Sequence, residues 1–105
     1  MDTDILNQEF SQEFVKLMMA RVEQSYHKYG SARKNFAEGR VDPIKTAELC
    51  LDAFKKDGNT EHLIDAANYN MFAYKFRNAL GYSFRSTGSS ESVGTVGTPI
   101  NLEKE

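Results

Sequence analysis

The residues with the clearest potential for ligand chemistry stand close together between positions 61 and 72. Asp65, Asn68, Tyr69 and Phe72 combine a carboxylate, an amide and two aromatic rings in a short stretch. At about 100° of rotation per helical residue, the carboxylate and the rings share one face and the amide lies at its edge. An amide can bind the edge of a nucleobase, and an aromatic ring can stack on its face. The set predicts a site for a nucleotide-like ligand.

Cations that could bind the phosphates of such a ligand occur in two other parts of the chain. Arg85 is followed by Ser86 and Thr87 at the start of a segment rich in Ser, Thr and Gly. Arginine binds phosphate through paired N–H donors, and hydroxyls and backbone N–H groups add further donors. A basic cluster in the middle of the chain contains Lys28, Arg33, Lys34, Arg40 and Lys45. We expect Arg33, Arg85, Ser86 and Thr87 to complete the site; the alternative for the basic cluster is a solvated surface.

Two carboxylates allow a metal-dependent alternative. Glu61 and Asp65 are four residues apart, which places both on one face of a helix, and Asn68 follows one turn later. Oxygen ligands in this arrangement suit a divalent cation. The similarly spaced Glu48 and Asp52 share their face with lysines, so ion pairs explain them. We predict a site without metal or cofactor, and the alternative is Mg²⁺ bound by Glu61 and Asp65.

No motif for covalent catalysis accompanies these residues. The only cysteine is Cys50, and neither His27 nor His62 stands at a spacing that implies a catalytic pair. The chain contains no G-x-S-x-G elbow, P-loop, dinucleotide fingerprint or zinc-ligand spacing. We therefore predict ligand binding without turnover.

The helix that must position the site is predicted between Gly58 and Gly81. Asn59 or Thr60 can cap its start and Gly81 can end it. A helix that is apolar on two sides is typical of an element packed between two layers. The sequence thus predicts enclosure of this helix by its own chain or by a second copy, and we expect a homo-oligomer. The two stripes are Leu63, Ile64, Ala67, Met71 and Tyr74 on one side, and Tyr69, Phe72, Phe76 and Leu80 on the other.

The rest of the chain predicts three further helical elements and an irregular end. Residues 3–29 have an apolar stripe that ends at Gly30, and residues 31–39 form a short helical turn. Asp42 and Pro43 start a helix that runs to Asp57. We expect its buried face to contain Ile44, Ala47, Leu51 and Phe54, with Leu49 exposed.

These elements predict the fold class and the division of the chain. The fold is all-α, a small helical bundle of three main helices plus a short one, in residues 1–81. An irregular Gly/Ser/Thr-rich C-terminal segment follows in residues 82–105. This segment is either a flexible tail or a loop that folds back over Asn68.

The amino-acid composition argues for some classes of protein and against others. A chain of 105 residues with 40% hydrophobic residues suggests one domain with its own core. The net charge of −2 argues against a general nucleic-acid-binding protein. The single cysteine fits a reducing cytosol, and no signal peptide or transmembrane segment is visible. We expect a cytoplasmic protein.

Three segments resemble a group of small proteins encoded by bacteriophages and prophages. They are GNTEHLIDAANY (58–69), FRSTGSSESVG (84–94) and YGSARKNFAEGRVD (29–42). The resemblance implies a role in the conflict between phage and host, in the host cell cytosol. Such a protein would sequester a signalling nucleotide or bind a host defence protein. As an inhibitor acting by protein–protein contact, the chain would use Val15, Met19 and Leu49, which lie off the predicted core.

LIDAANY (63–69) is similar to a metal-binding helix of the MazG-like nucleoside triphosphate pyrophosphatases. That family is all-helical and holds Mg²⁺ with an E-x-x-E and an E-x-x-D pair on two helices. This chain has only Asp65-x-x-Asn68 in place of the second pair. The resemblance implies metal-dependent pyrophosphate release as a further alternative function.

Overall fold

A computed structural model describes all 105 residues, and its only regular elements are helices. The predicted all-α class is confirmed. None of the helices has the length and apolar composition that a membrane span requires. The six helices are α1 Thr3–Glu9, α2 Gln12–Tyr29, α3 Ala32–Ala37, α4 Pro43–Asp57, α5 Glu61–Lys75 and α6 Arg77–Leu80.

The prediction of one continuous helix over residues 3–29 is wrong, because the chain breaks between α1 and α2. Phe10 has the extended backbone angles φ −111° and ψ 136°. Ser11 caps α2, and its hydroxyl accepts a hydrogen bond from the Phe14 N–H at 3.1 Å. A serine at this position satisfies a helix start, so the chain begins a second helix instead of continuing the first.

The predicted helix from Gly58 to Gly81 is also interrupted, at Phe76. That residue has φ −101° and ψ 23°, so α5 ends at Lys75 and α6 follows at Arg77. The predicted end at Gly81 is confirmed: its φ of 81° is left-handed, and the Tyr82 N–H bonds the Arg77 carbonyl at 2.7 Å. A left-handed residue of this kind is usually glycine.

Helix α5 is the central element and packs against α4 and against α2. Its contact with two helices agrees with the expected enclosure, but the predicted stripes are partly wrong: Tyr74 and Leu80 are exposed, and the buried Ala66 and Ala73 belong to neither stripe. The buried hydrophobic side chains are small except for Ile64, and small side chains let helices approach closely. The buried residues are Pro43, Ala47, Ile64, Ala66, Asn68 and Ala73.

The start of α4 is confirmed, whereas its predicted buried face is partly wrong. Asp42 caps the helix by accepting a hydrogen bond from the Lys45 N–H at 3.1 Å, with Pro43 in the first turn. Ile44 and Leu51 are exposed instead of buried, and Leu49 is exposed as predicted. The buried positions of α4 are Pro43 and Ala47, because a face of small residues meets α5.

Residues 82–105 form neither helix nor strand, and every residue in this segment is exposed. The segment does not cover Asn68, so the structure has the extended arrangement and not the folded-back one. Four of its apolar side chains, Val93, Val96, Ile100 and Leu102, are at least 64% exposed. Because the segment forms no helix or strand, these side chains are not held on one face and do not pack on the bundle.

Candidate functional site

A cleft of about 870 Å³ opens between the C-terminal half of α2, helix α3 and helix α5. Its volume is within the range of about 300–1,000 Å³ that is usual for ligand sites. The structure brings five of the eight residues predicted for the site to this cleft. They are Arg33, Asp65, Asn68, Tyr69 and Phe72.

The other three residues of the predicted site do not reach the cleft. Arg85, Ser86 and Thr87 lie in the exposed C-terminal segment and are not part of the cleft wall. The Arg85 guanidinium instead pairs with the Glu91 carboxylate at 2.7 Å within the same segment. The composite site with a folded-back loop is therefore absent from this arrangement, because the segment has no packed contact to hold it there.

The turn between α2 and α3 shapes the mouth of the cleft. Gly30 ends α2 with φ 85°, a left-handed value that disfavours residues with a side chain. Ser31 then caps α3 by accepting a hydrogen bond from the Lys34 N–H at 3.2 Å. The Asn35 side-chain amide donates to the Tyr29 carbonyl at 3.2 Å. These local bonds reverse the chain so that α3 faces α5 with Arg33 on the cleft.

Three phenylalanines join α3 to α5. The Phe36 ring meets the Phe72 and Phe76 rings edge-on, with 5.5 Å between centroids in each pair. Phe72 and Phe76 stack at 6.4 Å. Aromatic pairs at these distances add about 0.5–1.5 kcal/mol beyond their buried area. Phe72 is thus part of the packing that holds the cleft wall.

Tyrosines provide freer ring surfaces than Phe72. Tyr26 and Tyr29 line the cleft and are 59% and 63% exposed. The Lys28 ammonium lies 5.2 Å from the Tyr29 ring centroid and covers part of that ring. Tyr69 is half-buried. Burial first, and then the nearby Cys50 and Asp65, raise the pKa of the Tyr69 phenol, so it stays a neutral hydrogen-bonding group.

Arg21 from α2 engages both carboxylates of the metal-dependent alternative. Its Nε and Nη2 donate to the two Asp65 oxygens, each at 3.1 Å, and its Nη1 lies 3.1 Å from Glu61. The hydrogen bond to Asp65 raises the pKa of Arg21, which therefore stays charged. A divalent cation at Glu61 and Asp65 would have to displace this guanidinium, so the ion pair disfavours that alternative.

Asn68 lies in the cleft wall with half of its amide unpaired. Its Nδ2 donates to the Met18 carbonyl at 3.0 Å, which ties α5 to α2. The Oδ1 is buried and has no hydrogen-bond partner. The opposite amide orientation would place Oδ1 against the Met18 carbonyl oxygen, so the bond defines which atom is free. An unpaired buried acceptor costs about 1–3 kcal/mol.

The cleft concentrates positive charge in a chain whose net charge is −2. Asp65 is its only acidic lining residue, and Arg21 already neutralises it. The pair between Arg40 and Glu38 at 2.9 Å is mostly solvated and therefore weak. The remaining positive charge favours an anionic ligand. The five basic residues that line the cleft are Arg21, Lys28, Arg33, Arg40 and Lys75.

Sequence reasoning missed several residues of the cleft. Lys28 and Arg40 belonged to the basic cluster but were not assigned to the site. Arg21 gives no local signal, because its partner Asp65 lies 44 residues away. Tyr26 falls on the apolar stripe of residues 3–29, and only the structure shows that its ring is 59% exposed and contacts the His27 ring edge-on at 5.8 Å.

Cys50 has the properties of a packed thiol. It is half-buried on α4 and forms no disulfide. Burial raises its pKa, so the reactive thiolate is disfavoured at neutral pH. The sequence likewise places neither histidine at a spacing from Cys50 that implies a catalytic pair.

Comparison with known proteins finds no match to a protein-family model, to a curated protein or to a solved structure. The resemblances to phage proteins and to MazG-like enzymes therefore remain expectations from the sequence. The site has to be interpreted from its own geometry.

Proposed function

We propose that this protein binds a nucleotide-like anionic ligand in the cleft and does not convert it. The observation that carries the proposal is the set of basic residues facing a single, already neutralised carboxylate. Arg33, Arg40 and Lys75 approach from different elements and would bind the phosphates. Tyr69 and the exposed tyrosines of α2 would stack on the base, a contact worth about 1–3 kcal/mol per base.

The state of the acids supports binding without turnover. Asp65 and Glu61 both contact Arg21, so neither is free to act as a general base or as one of several metal ligands. The described residues contain no cluster of three or more His, Cys, Asp or Glu side chains that could hold a metal. A positively charged cleft whose carboxylates are already paired is suited to holding a nucleotide without converting it.

The resemblance to phage proteins supplies the biological setting of the proposal. A small protein that captures a nucleotide would remove a signal used by host defence. In that setting the protein acts in the cytosol of the infected cell, where the ligand is made. The cleft binds the ligand and the host loses the signal.

The test compares substitutions at two adjacent basic residues of α3, Arg33 and Lys34. Arg33 lines the cleft, whereas Lys34 is exposed and does not. Arg33→Glu should weaken binding of ATP or GTP at least tenfold, because a charge-assisted hydrogen bond contributes about 1.5–3 kcal/mol. Lys34→Glu changes the net charge equally and should leave affinity within about threefold. Isothermal titration calorimetry at fixed salt measures both.

Two results would contradict the proposal. Equal losses in both variants would mean that general charge, and not the cleft, attracts the nucleotide. Release of phosphate or pyrophosphate by the wild type with Mg²⁺ would favour the pyrophosphatase alternative instead. Circular dichroism of each variant checks that the fold is retained.

Self-association is part of the proposal. The chain exposes 9177 Å², whereas a monomeric protein of its mass exposes about 6,000 Å². Its radius of gyration is 16.2 Å, against about 13 Å for a compact domain of this length. A stable homodimer buries about 2,000–5,000 Å² in total. Residues 82–105 are all exposed and account for part of this excess, so the apolar side chains that the helices expose are the stronger support for a second copy. Light scattering after size-exclusion chromatography should give a mass above one chain.

A second copy would cover the apolar side chains that α1, α2 and α4 expose. Burying them would enlarge a core that is small in the single chain. They are Ile5, Leu6 and Phe10 of the α1 region, Leu17 and Met19 of α2, and Ile44, Leu49 and Leu51 of α4.

Inhibition by protein–protein contact is the second candidate function. Met19 and Leu49 are 61% and 57% exposed, which favours a contact surface, whereas Val15 is half-buried. A host defence protein could occupy the surface that we assign to a second copy. A monomeric mass in light scattering, together with no nucleotide binding, would favour this candidate.

A further inference from the structure

The oxygen of Asn68 is a hydrogen-bond acceptor that the chain itself leaves unused. Asn68 is only 6% exposed. Its Oδ1 is the one buried side-chain polar atom in the structure without a partner. The Nδ2 is committed to the Met18 carbonyl at 3.0 Å. A ligand in the cleft can therefore meet Asn68 only as an acceptor.

The donor-rich neighbour on α2 is already occupied. Arg21 directs Nε and Nη2 to Asp65, and Nη1 to Gln24 and Glu61. A leucine at position 68 would have nearly the same size without leaving a polar atom unpaired. The Nδ2 bond to the Met18 carbonyl contributes to the packing of α5 on α2, but the Oδ1 acceptor has no partner within the fold.

We propose that Asn68 Oδ1 accepts a hydrogen bond from an N–H group of the bound base, so that the cleft selects nucleotides whose base carries such a donor. This inference rests on the proposed nucleotide binding. The adenine N6 amine is such a donor, and guanine carries donors at N1 and N2. The phosphates then extend toward Arg33 and Arg40 at the basic end of the cleft.

Burial of Oδ1 gives this contact its selectivity. The oxygen is closed to solvent, so the proposal requires the side chains around it to shift when the base binds. Once the base is bound, water does not replace a missing donor. A site built around a polar contact rejects analogues that lack the matching group more strongly than an apolar pocket does.

The first experiment varies the ligand and keeps the wild-type protein. ATP and GTP are compared with purine riboside 5′-triphosphate, which has the same ring system and phosphates but no N–H group on the rings. By calorimetry, at least one of ATP and GTP should bind about tenfold to a hundredfold more tightly than the donor-free analogue. Equal affinities would overturn the role of Asn68 and leave binding in the cleft intact. No binding by any of the three would overturn both.

The second experiment varies the protein. Asn68→Leu removes the unpaired Oδ1 and the Nδ2 bond to the Met18 carbonyl together, so the unfolding temperature should change little, and the variant should bind all three nucleotides with similar affinity. Asn70→Leu is the matched control: Asn70 is exposed two residues further along α5 and should leave the discrimination unchanged. Discrimination that persists in Asn68→Leu would overturn the proposal. If that variant does not fold, the ligand series with the wild type decides alone.

Discussion

Helix α5 has two flanks that are built from different chemistry. Toward α4 the packing uses small buried residues such as Ala47, and the two helices lie against each other over much of their length. Toward α2 the named contacts are polar: Arg21 with Asp65, and Asn68 with the Met18 carbonyl. Close packing leaves no space, whereas polar contacts at a few points leave a cleft beside them. The comparison shows that one flank holds the fold together and the other provides the site.

A larger side chain where α5 packs against α4 should lower the free energy of unfolding more than the other substitutions. Ala66 is 3% exposed, and Ala66→Leu adds volume where close packing leaves no space. We expect a loss of about 1–3 kcal/mol in the free energy of unfolding, measured by urea denaturation. Ala79→Leu, at an exposed position of α6, is the control and should change little. An unchanged midpoint for Ala66→Leu would mean that the α4 flank is as loosely packed as the cleft side.

Breaking the ion pair on the α2 flank should separate stability from binding. Asp65→Asn keeps the size of the side chain and removes its charge. The Arg21 and Asp65 side chains are 33% and 24% exposed, so solvent screens the pair and we expect a loss of about 1 kcal/mol. Nucleotide affinity should stay constant or rise, because Arg21 becomes free to meet the anion.

Glu61→Gln is the control for that change. Glu61 is 51% exposed and makes a single contact with Arg21, so its loss should affect unfolding less. A fall in nucleotide affinity in Asp65→Asn would show instead that Asp65 contacts the ligand. That outcome would support the role that its place on the helix predicts.

The turn between α4 and α5 should give the smallest effect, visible only as a dependence on pH. The Asn59 backbone N–H and the His62 ring hold the pKa of Asp57 below its ordinary value of 3.8. A carboxyl group with a lowered folded-state pKa stabilises the fold above its unfolded-state pKa, and this contribution is lost as pH falls through the folded-state value.

Thermal unfolding of wild type and Asp57→Asn between pH 7 and pH 2 measures this contribution. The variant should be slightly less stable above about pH 4, and the two curves should converge below it. A constant difference down to pH 2 would show that the Asp57 charge is not responsible. The effect is small because the carboxylate is at the surface.

The limits of sequence reasoning are clearest along α5. Its two apolar stripes predicted packing on both sides, and α4 and α2 provide it. In the structure, one cleft is lined by the set of Asp65, Asn68, Tyr69 and Phe72 together with Arg33. The roles within that set were not all foreseen: Phe72 packs against Phe36, and Asp65 is held by Arg21.

Local chemistry that the sequence contains determined several ends of the helices, although the sequence did not predict the breaks at Phe10 and Phe76. Asp42 with Pro43, and the glycines at 30, 58 and 81, act on backbone groups a few residues away. Tertiary structure decided which side chains share the cleft, which apolar residues of α4 stay exposed, and that residues 82–105 lie apart from it. Those outcomes depend on how rigid helices sit against one another across gaps such as the 44 residues between Arg21 and Asp65. The period of a single helix carries no information about that placement.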